Sequence, residues 1–261
     1  LNYELARVLG RPRTALDVGC GRGQNGALAK AKGAHVVGIE NWPASVAAAR
    51  ERLDEVVDAD IESDAAARAL GDRKFDTLIF GDVLEHTREP ARVLERFLPF
   101  LEDGGHVIVS LPNVAAWPVR LQLLAGRFQY AKKGILDETH LRFFTRETAT
   151  RLVEEAGLEV LTVGLNPMLV RAGLGVVEKV LGGGKDEGSA DASAILDNPL
   201  YHAYLKVVRP IEGQVASIAP NALAFQTVVV ARKRPARRKL SLSVGMISMN
   251  EEKAVGSVID D

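Results

Sequence analysis

Five carboxylic acids come at or just after the ends of short apolar runs that have the length of β-strands. Asp17 lies at the end of the first run, Glu40 follows the second, and Asp60 follows the third. Asp82 and Glu85 both follow the fourth. Because ligands of open α/β sheets sit outside the carboxyl ends of the strands, we expect these acids to form one acidic rim around a ligand site.

A glycine-rich stretch, DVGCGRGQNG over 17–26, begins inside this rim. Gly21, Gly23 and Gly26 satisfy the G-x-G-x-x-G pattern of loops that bind the pyrophosphate of NAD. A second interpretation starts the loop two residues earlier, at Gly19, and places Gly26 in the following helix. Glycines permit tight turns and close approach of the backbone to a ligand, so the loop predicts a ligand without identifying it.

The charge of the rim favours one ligand. A phosphate about 4 Å from a carboxylate would be repelled by about 4 kcal/mol per pair at an effective dielectric constant of about 20. An NAD-dependent oxidoreductase is therefore the least favoured function. S-adenosylmethionine carries an ammonium group, a positive sulfonium and a ribose diol but no phosphate, so it suits this rim.

The acids then have expected roles towards this cofactor. Asp17 is expected to organise the loop and the amino end of the methionine, and Glu40 to accept hydrogen bonds from both ribose hydroxyls. Asp60 is expected to accept from the adenine amino group, with Ile61 against the ring. The predicted cofactor-binding residues are Asp17, Gly19, Cys20, Gly21, Gly23, Gln24, Glu40, Asn41, Asp60, Ile61 and Asp82. Cys20 is expected to be a small loop residue and not a nucleophile, because no base partner is evident.

The elements that must position these residues alternate along the chain. Apolar runs typical of strands buried on both faces occupy 14–18, 35–39, 75–80 and 106–110. Apolar residues at helical spacing lie between them, at 24–32, 43–54 and 88–101. This alternation predicts an α/β fold with a doubly wound, mostly parallel sheet.

The second half of the chain extends this pattern. A helix over 145–156 with a Thr cap leads into a strand over 158–163, and 224–231 has the pattern of a last strand. Between them we expect an inserted helical pair, at 168–181 and 199–216, around a loop over 182–193 of flexible composition.

Four segments resemble successive motifs of class I S-adenosylmethionine-dependent methyltransferases: LDVGCGRG at 16–23, GIEN at 38–41, DI at 60–61 and DVLEH at 82–86. The resemblance covers about 3–165. It implies a Rossmann-like, seven-stranded sheet in which the last strand is antiparallel. It also implies a methyltransferase domain over 1–235 that contains the inserted helical region at about 166–220.

Two histidines are candidates for the general base that a hydroxyl acceptor requires. His86 follows Glu85 directly, beside the expected sulfonium; the alternative is that it caps the helix that starts near Arg88. His140 lies in GILDETHLRFFT (134–145), where polar residues alternate with aromatic ones; the alternative is a loop fixed by salt bridges.

Three segments resemble a methyltransferase subgroup associated with surface-glycan assembly: SLPNVAAW at 110–117, LLAGRFQY at 123–130 and DETHLRFFT at 137–145. In that subgroup the chain after the fifth strand covers the acceptor. The resemblance therefore implies acceptor contacts from Asn113, Trp117, Tyr130 and Arg142.

The C-terminal segment over 239–260 resembles the opening of family 2 glycosyltransferases. Residues 236–261 are then a linker and the truncated start of a fused glycosyltransferase domain; the alternative is a terminal strand and helix of the methyltransferase itself. The expected function is O-methylation of a sugar, a glycan precursor or another small molecule. The alternative is a non-catalytic cofactor-binding or scaffold domain of a bifunctional glycan-assembly protein.

Composition limits the partners. The 261 residues carry a formal net charge of −1, which gives no general attraction to nucleic acid. No stretch approaches the ~18 apolar residues of a membrane span and the first residues do not resemble a signal peptide, so a cytoplasmic protein is expected. The single cysteine, Cys20, excludes an internal disulfide and a cysteine-rich metal site, and we expect no metal.

Overall fold

The computed structural model describes residues 2–167, 214 and 218–234. The helical pair predicted at 168–181 and 199–216 lies outside the described residues apart from Gln214, as does the loop over 182–193. The predicted glycosyltransferase start over 236–261 also lies outside them. Within the described part, no helix is both long enough and apolar enough to cross a membrane.

One seven-stranded sheet organises the domain, in the order β3-β2-β1-β4-β5-β7-β6. Strands β1 to β5 pair in parallel with one another, whereas β7 is antiparallel to both β5 and β6. The strands are β1 Thr14–Val18, β2 His35–Glu40, β3 Glu55–Asp58, β4 Phe75–Gly81, β5 Leu101–Pro112, β6 Leu158–Pro167 and β7 Ala224–Lys233. The predicted doubly wound sheet with an antiparallel last strand is confirmed.

Eight helices of the described part connect or flank these strands: α1 Tyr3–Val8, α2 Gln24–Ala31, α3 Pro43–Arg50, α4 Asp64–Leu70, α5 Pro90–Phe97, α6 Trp117–Leu124, α7 Arg146–Glu155 and α8 Pro220–Leu223. Helices α1, α2 and α3 supply Leu5, Leu28 and Ala49 to an apolar cluster on one face of the sheet. Helices α4, α5 and α7 supply residues such as Leu70 and Phe97 to a larger cluster on the other face. Strands buried on both faces explain the continuous apolar runs of the sequence.

The helix predicted at 88–101 is shorter in the structure. Helix α5 begins with Pro90 at its first turn and ends at Phe97, and a 3₁₀ turn follows over Leu98–Phe100. Pro99 has no amide hydrogen with which to continue the helix, which explains the early end. Strand β5 consequently starts at Leu101, ahead of the predicted 106–110, and its pairing with β4 is irregular between Leu101 and His106.

The helix predicted at 43–54 also ends early, at Arg50. The main-chain N–H groups of Arg52 and Leu53 both donate to the carbonyl of Ala49, which closes a tight turn before β3. By contrast, the predicted start of α7 is confirmed, because Thr145 and Thr148 form a reciprocal capping box.

Candidate functional site

The loop after β1 contains three glycines with left-handed backbone angles: Gly19 (φ +66°), Gly21 (φ +54°) and Gly23 (φ +82°). A Cβ atom at Gly19 would overlap the side chain of Val83, which follows β4, so the loop and the end of β4 touch here. A Cβ atom at Gly21 would meet no atom within 4 Å. Gly26 lies inside α2, so the interpretation that starts the loop at Gly19 describes the structure.

Asp17 lies beneath this loop and is 1% exposed. Its Oδ2 accepts a hydrogen bond from the N–H of Gly26 in the first turn of α2, at 2.8 Å. Burial raises the pKa of Asp17 to about 7, against the opposing effect of this bond, and the charge of Glu40 raises it further. Because a carboxylate already occupies the helix amide, a pyrophosphate would have to compete with it for the position.

Glu40 joins the loop to β2. Its Oε2 accepts from the N–H of Gly21 at 2.9 Å, and its Oε1 accepts from the N–H groups of Asn41 and Trp42 at 3.0 and 2.9 Å. Three of the roughly four acceptor positions of a carboxylate are therefore used by the main chain. Contacts to both ribose hydroxyls, as predicted, require that one of these bonds be shared.

The other residues that the sequence predicts to bind the cofactor lie around the loop. Asp60 is exposed after β3, and its Oδ1 accepts from the N–H of Glu62 at 2.8 Å. The side chain of Ile61 points towards Gly19, 3.6 Å from the position that a Cβ there would take. Gln24 at the start of α2 and Asn41 after β2 are exposed. The structure thus brings together the predicted cofactor residues of the first three strands.

Cys20 is buried within the loop. Burial, followed by the charges of Asp17 and Glu40, raises the pKa of its thiol far above the ordinary value. The thiolate form that a nucleophile requires is therefore disfavoured, in agreement with the sequence interpretation.

Asp82 follows β4 and is the only non-glycine residue of the described part with a positive φ, +56°. Its carboxylate accepts hydrogen bonds from the Ser110 hydroxyl, at 2.9 Å, and from the Gln226 amide. Asn2, the N-cap of α1, donates to the Ser110 hydroxyl at 2.6 Å and accepts from Asn166 at 2.7 Å. Sequence reasoning missed this network, although polar residues within the apolar runs of β5 and β7 were a signal for it.

Glu85 departs from the predicted rim. It is 1% exposed, and neither of its carboxylate oxygens has a hydrogen-bond partner. Burial, followed by the charge of Asp82, raises the pKa of Glu85 well above its ordinary value. The five acids therefore do not all line an open edge, because Glu85 is turned inward against His140, whose Nε2 lies 4.0 Å from Oε1.

The two predicted catalytic histidines are neighbours. The rings of His86 and His140 meet edge to face, with centroids 4.8 Å apart. His86 is exposed on a 3₁₀ turn over Leu84–His86 and does not cap α5, whereas His140 is buried. Burial, and then the charge of His86, lowers the pKa of His140.

Glu85, His86 and His140 have the ligand types of a metal site, with one candidate atom of each within 4.8 Å of the others. Ligands of a tetrahedral ion with bonds of about 2.1 Å lie only about 3.4 Å apart. The 4.0 Å between Glu85 and His140 is longer than that, so we assign no metal to these residues.

The predicted acceptor residues are placed differently from one another. Tyr130 is exposed, meets the ring of Phe128 edge to face and lies tilted against Phe143, whose ring is 6.2 Å from that of His140. Trp117 is 41% exposed at the start of α6. The three aromatic rings of Phe128, Tyr130 and Phe143 extend outward from His140.

Arg142 and Asn113 have structural partners. The Arg142 guanidinium donates to the carbonyl of Arg88 at 2.7 Å, which fixes the 134–145 segment beside α5. Asn113 is fully buried, and its amide donates to the carbonyls of Asn221 and Ala224. The prediction that Asn113 contacts the acceptor is corrected, since it has no exposed surface and instead holds the start of β7.

Comparisons with known proteins agree with this arrangement. The methyltransferase domain family matches residues 2–163, more than half of the chain. Ubiquinone biosynthesis O-methyltransferase of Marinobacter nauticus is 33% identical over 118 residues, which cover 43% of this chain and 50% of that protein. Trans-aconitate 2-methyltransferase of Methylobacterium radiotolerans is 36% identical over 117 residues, which cover 44% of each. The matches span half or less of the length of these relatives.

A solved structure shares the fold. A SAM dependent methyltransferase from Archaeoglobus fulgidus aligns with a TM-score of 0.56 at 17% identity, over 88% of this chain and 92% of that one. Two observations therefore lead to one assignment. The sheet has seven strands with an antiparallel β7, and the family match covers both the glycine loop and the histidine pair. The chain belongs to the methyltransferase domain family, and the described domain is an S-adenosylmethionine-dependent methyltransferase domain.

Proposed function

We propose that this domain transfers the methyl group of S-adenosylmethionine to a hydroxyl oxygen of a small molecule. The observation that carries the proposal is the set of carboxylates at the ends of β1 and β2 that bind the loop's own main chain beside the open position at Gly21. These acids leave a negative, preformed site next to a backbone that a ligand can approach. A cationic sulfonium with no phosphate fits that site.

The donor is proposed to lie across the loop with its adenine towards Asp60 and Ile61. Ile61 supports this orientation because its side chain packs towards Gly19 while Asp60 stays exposed next to it. Glu40 would accept from the ribose with its remaining acceptor position. The methionine end would then lie between Asp17 and Asp82, at the ends of the adjacent strands β1 and β4.

Oxygen is the proposed acceptor atom. The printed name of the Marinobacter relative specifies an O-methyltransferase. In this chain, two imidazoles lie beside Asp82 at the end of β4, and a hydroxyl acceptor needs such a base. Trp117, Tyr130 and Arg142 are proposed to contact the acceptor, together with Phe128 and Phe143, which share the aromatic group of Tyr130.

A sugar or glycan precursor is the proposed acceptor class. Support comes from the segments at 110–117, 123–130 and 137–145, which resemble glycan-associated methyltransferases, and from 239–260, which resembles the start of a glycosyltransferase. The reading frame beyond Asp261 tests the second resemblance. A sugar-nucleotide-binding Asp-x-Asp motif downstream would support a fused glycosyltransferase, and a stop codon directly after Asp261 would remove it.

The proposed binding of S-adenosylmethionine is tested by isothermal titration calorimetry with S-adenosylmethionine, S-adenosylhomocysteine and NAD. We expect micromolar binding of the first two and none of NAD; the reverse result would overturn the proposal. Release of S-adenosylhomocysteine is then measured against matched panels of sugars, phenols, amines and carboxylic acids. Turnover confined to amines would contradict the oxygen assignment, and cofactor binding without turnover in any panel would favour the scaffold alternative.

A further inference from the structure

His86 is held by an adjacent segment of the acceptor side. Its Nδ1 lies 3.2 Å from the carbonyl oxygen of Thr139 and 3.1 Å from the Thr139 hydroxyl oxygen. That hydroxyl in turn donates to Oδ1 of Asp137 at 2.6 Å, and Asp137 also accepts from the N–H of Thr139 at 2.9 Å. These three residues form one connected chain of hydrogen bonds.

The direction of each bond in this chain follows from the groups involved. A carbonyl oxygen only accepts, so the Nδ1 of His86 must carry the hydrogen that faces Thr139. The Thr139 hydroxyl has one hydrogen, which points to the Asp137 carboxylate, so its oxygen also accepts from His86. In a neutral imidazole whose Nδ1 is protonated, Nε2 carries the free lone pair.

This lone pair is available for chemistry. His86 is exposed, and no residue of the described part forms a hydrogen bond with its Nε2. A general base needs a lone pair that can reach the acceptor proton, and a second group that fixes the ring. His86 meets both conditions.

His140 differs in what its Nε2 faces. Its Nδ1 lies 3.1 Å from the carbonyl of Ile135 and therefore also carries the hydrogen. Its Nε2, however, points to Glu85 at 4.0 Å, and both side chains are at most 5% exposed. An acceptor hydroxyl would have to enter the buried interior to reach this nitrogen.

We infer that His86, and not His140, removes the acceptor proton, and that Thr139 and Asp137 are positioning residues that fix its Nδ1–H tautomer. The inference rests on the proposed function for the identity of the acceptor as a hydroxyl. The acceptor proton moves to Nε2 of His86, the oxygen forms a bond to the methyl carbon, and the carbon–sulfur bond breaks. Its electron pair stays on sulfur, which yields neutral S-adenosylhomocysteine, and the imidazolium releases its proton to solvent.

Asp137 suits the second part of this role. It is only partly exposed, and although burial acts to raise the pKa of this carboxyl, the two hydrogen bonds from Thr139 and the charges of His140 and His86 together lower it below its ordinary value. A carboxylate that stays ionised keeps the Thr139 hydroxyl oriented. Its negative charge also faces the imidazolium that forms on His86 during transfer.

The tautomer is measured without any acceptor. Long-range ¹H–¹⁵N NMR spectra of the whole chain, with and without S-adenosylhomocysteine, distinguish the two nitrogens of each neutral histidine; His86→Gln assigns the signal. We expect His86 to be protonated at Nδ1. Protonation at Nε2 would overturn the inference even if cofactor binding and turnover are as proposed.

Variants of Thr139 separate positioning from folding. Thr139→Val removes the hydroxyl but keeps the shape, and we expect it to weaken the tautomer preference and to lower kcat about tenfold, whereas Thr139→Ser restores both. Thr150→Val is the matched control, because the Thr150 hydroxyl binds a helix carbonyl of α7 away from the histidines. An equal loss of kcat in Thr150→Val, or full activity in Thr139→Val, would count against the positioning role.

The base itself is tested once the acceptor screen has identified a substrate. We expect His86→Gln to lower kcat at least about 100-fold and His140→Gln to lower it less than about tenfold, with unchanged affinity for S-adenosylmethionine. The opposite order would assign the base to His140. If the wild-type chain does not bind S-adenosylmethionine at all, the proposed function itself is wrong.

Discussion

The proposed donor side and the proposed acceptor side of this site differ in how the main chain satisfies their charged groups. On the donor side, at the ends of β1, β2 and β3, the carboxylates of Asp17, Glu40 and Asp60 each accept at least one main-chain N–H. On the acceptor side, the carboxyl of Glu85 is buried and accepts none, and the two histidines beside it present unshared lone pairs.

This difference indicates how each side is built for its ligand. The donor side is a preformed loop whose glycines and acids fix one another before any ligand binds. The acceptor side retains a buried polar group without a partner, which costs stability and is common where chemistry takes place. Variants of acids and glycines on the two sides therefore test what each side contributes to the stability of the fold.

The largest effect is expected at Asp17. The folded chain binds this proton more tightly than the unfolded chain, because burial raises the pKa of Asp17 from 3.8 to about 7. The contribution of Asp17 to the free energy of unfolding is therefore fully present below about pH 4 and is lost as the pH rises through about 7. The free energy of unfolding should fall by about 4 kcal/mol over this range. Asp17→Asn does not titrate and should remove this decline, as measured by urea unfolding at pH 4 and pH 8.

Asp60→Asn, at an exposed acid of the same edge of the sheet, serves as the control for the substitution itself. Parallel stability curves for the wild type and Asp17→Asn would show that folding does not raise the pKa of Asp17. The difference between the two sides of the site would then not extend to the carboxyl of Asp17.

A pair of glycine variants tests whether the donor loop is preformed. Gly19→Ala combines a left-handed backbone with overlap against Val83, so we expect a loss of about 3 kcal/mol in the free energy of unfolding. Gly21→Ala meets no atom and should cost only about 1 kcal/mol of backbone strain. Thermal unfolding measures both. Equal losses would mean that the contact between the loop and Val83 contributes nothing.

The acceptor-side counterpart is Glu85→Leu. Replacing a buried carboxyl that has no hydrogen-bond partner with an apolar side chain of similar volume should stabilise the fold by about 2 kcal/mol at pH 8. Affinity for S-adenosylmethionine, measured by titration calorimetry, should stay within a factor of about three. Destabilisation of the same size would show that Glu85 has a favourable partner in the folded protein, and the comparison would fail on this side.

The sequence predicted the glycine loop after β1 and the positions of the acids around it, because these signals are local. The apolar runs located five of the strands within a few residues, and the spacing of Asp17, Glu40 and Asp60 after those runs placed them together. Positive φ angles at Gly19, Gly21 and Gly23 follow from residue type, since few other residues adopt them. Helix α5 ends earlier than predicted, and Pro99 was a local signal for this end. The apolar pattern over 88–101 nevertheless predicted a longer helix.

The acceptor side could not be predicted in the same way, because its geometry depends on contacts between distant parts of the chain. Glu85 and His140 are 55 positions apart, and only the fold turns the carboxyl inward to face the imidazole. Asn113 looked like an acceptor residue by resemblance, yet its partners are carbonyls more than 100 residues away in α8 and β7. The links from Asn2 through Ser110 to Asp82 likewise exist only after three elements have packed together.

The smallest effect concerns the titration of His140. Burial disfavours its charged form, and the neighbouring His86 adds to this, whereas the carbonyl of Ile135 and the charges of Asp137 and Asp82 act in the opposite direction. We therefore expect the pKa of His140 in the folded chain to lie below its ordinary value of 6.5, with the unfolded chain in urea as the reference. The shift is measured from the ring carbon and proton signals in an NMR pH titration. His86→Gln removes one of the two contributions that lower the pKa of His140, so this pKa should rise part of the way towards its ordinary value. If the pKa of His140 does not change, burial alone lowers it. The difference between the buried and the exposed imidazole would then result from packing and not from charge.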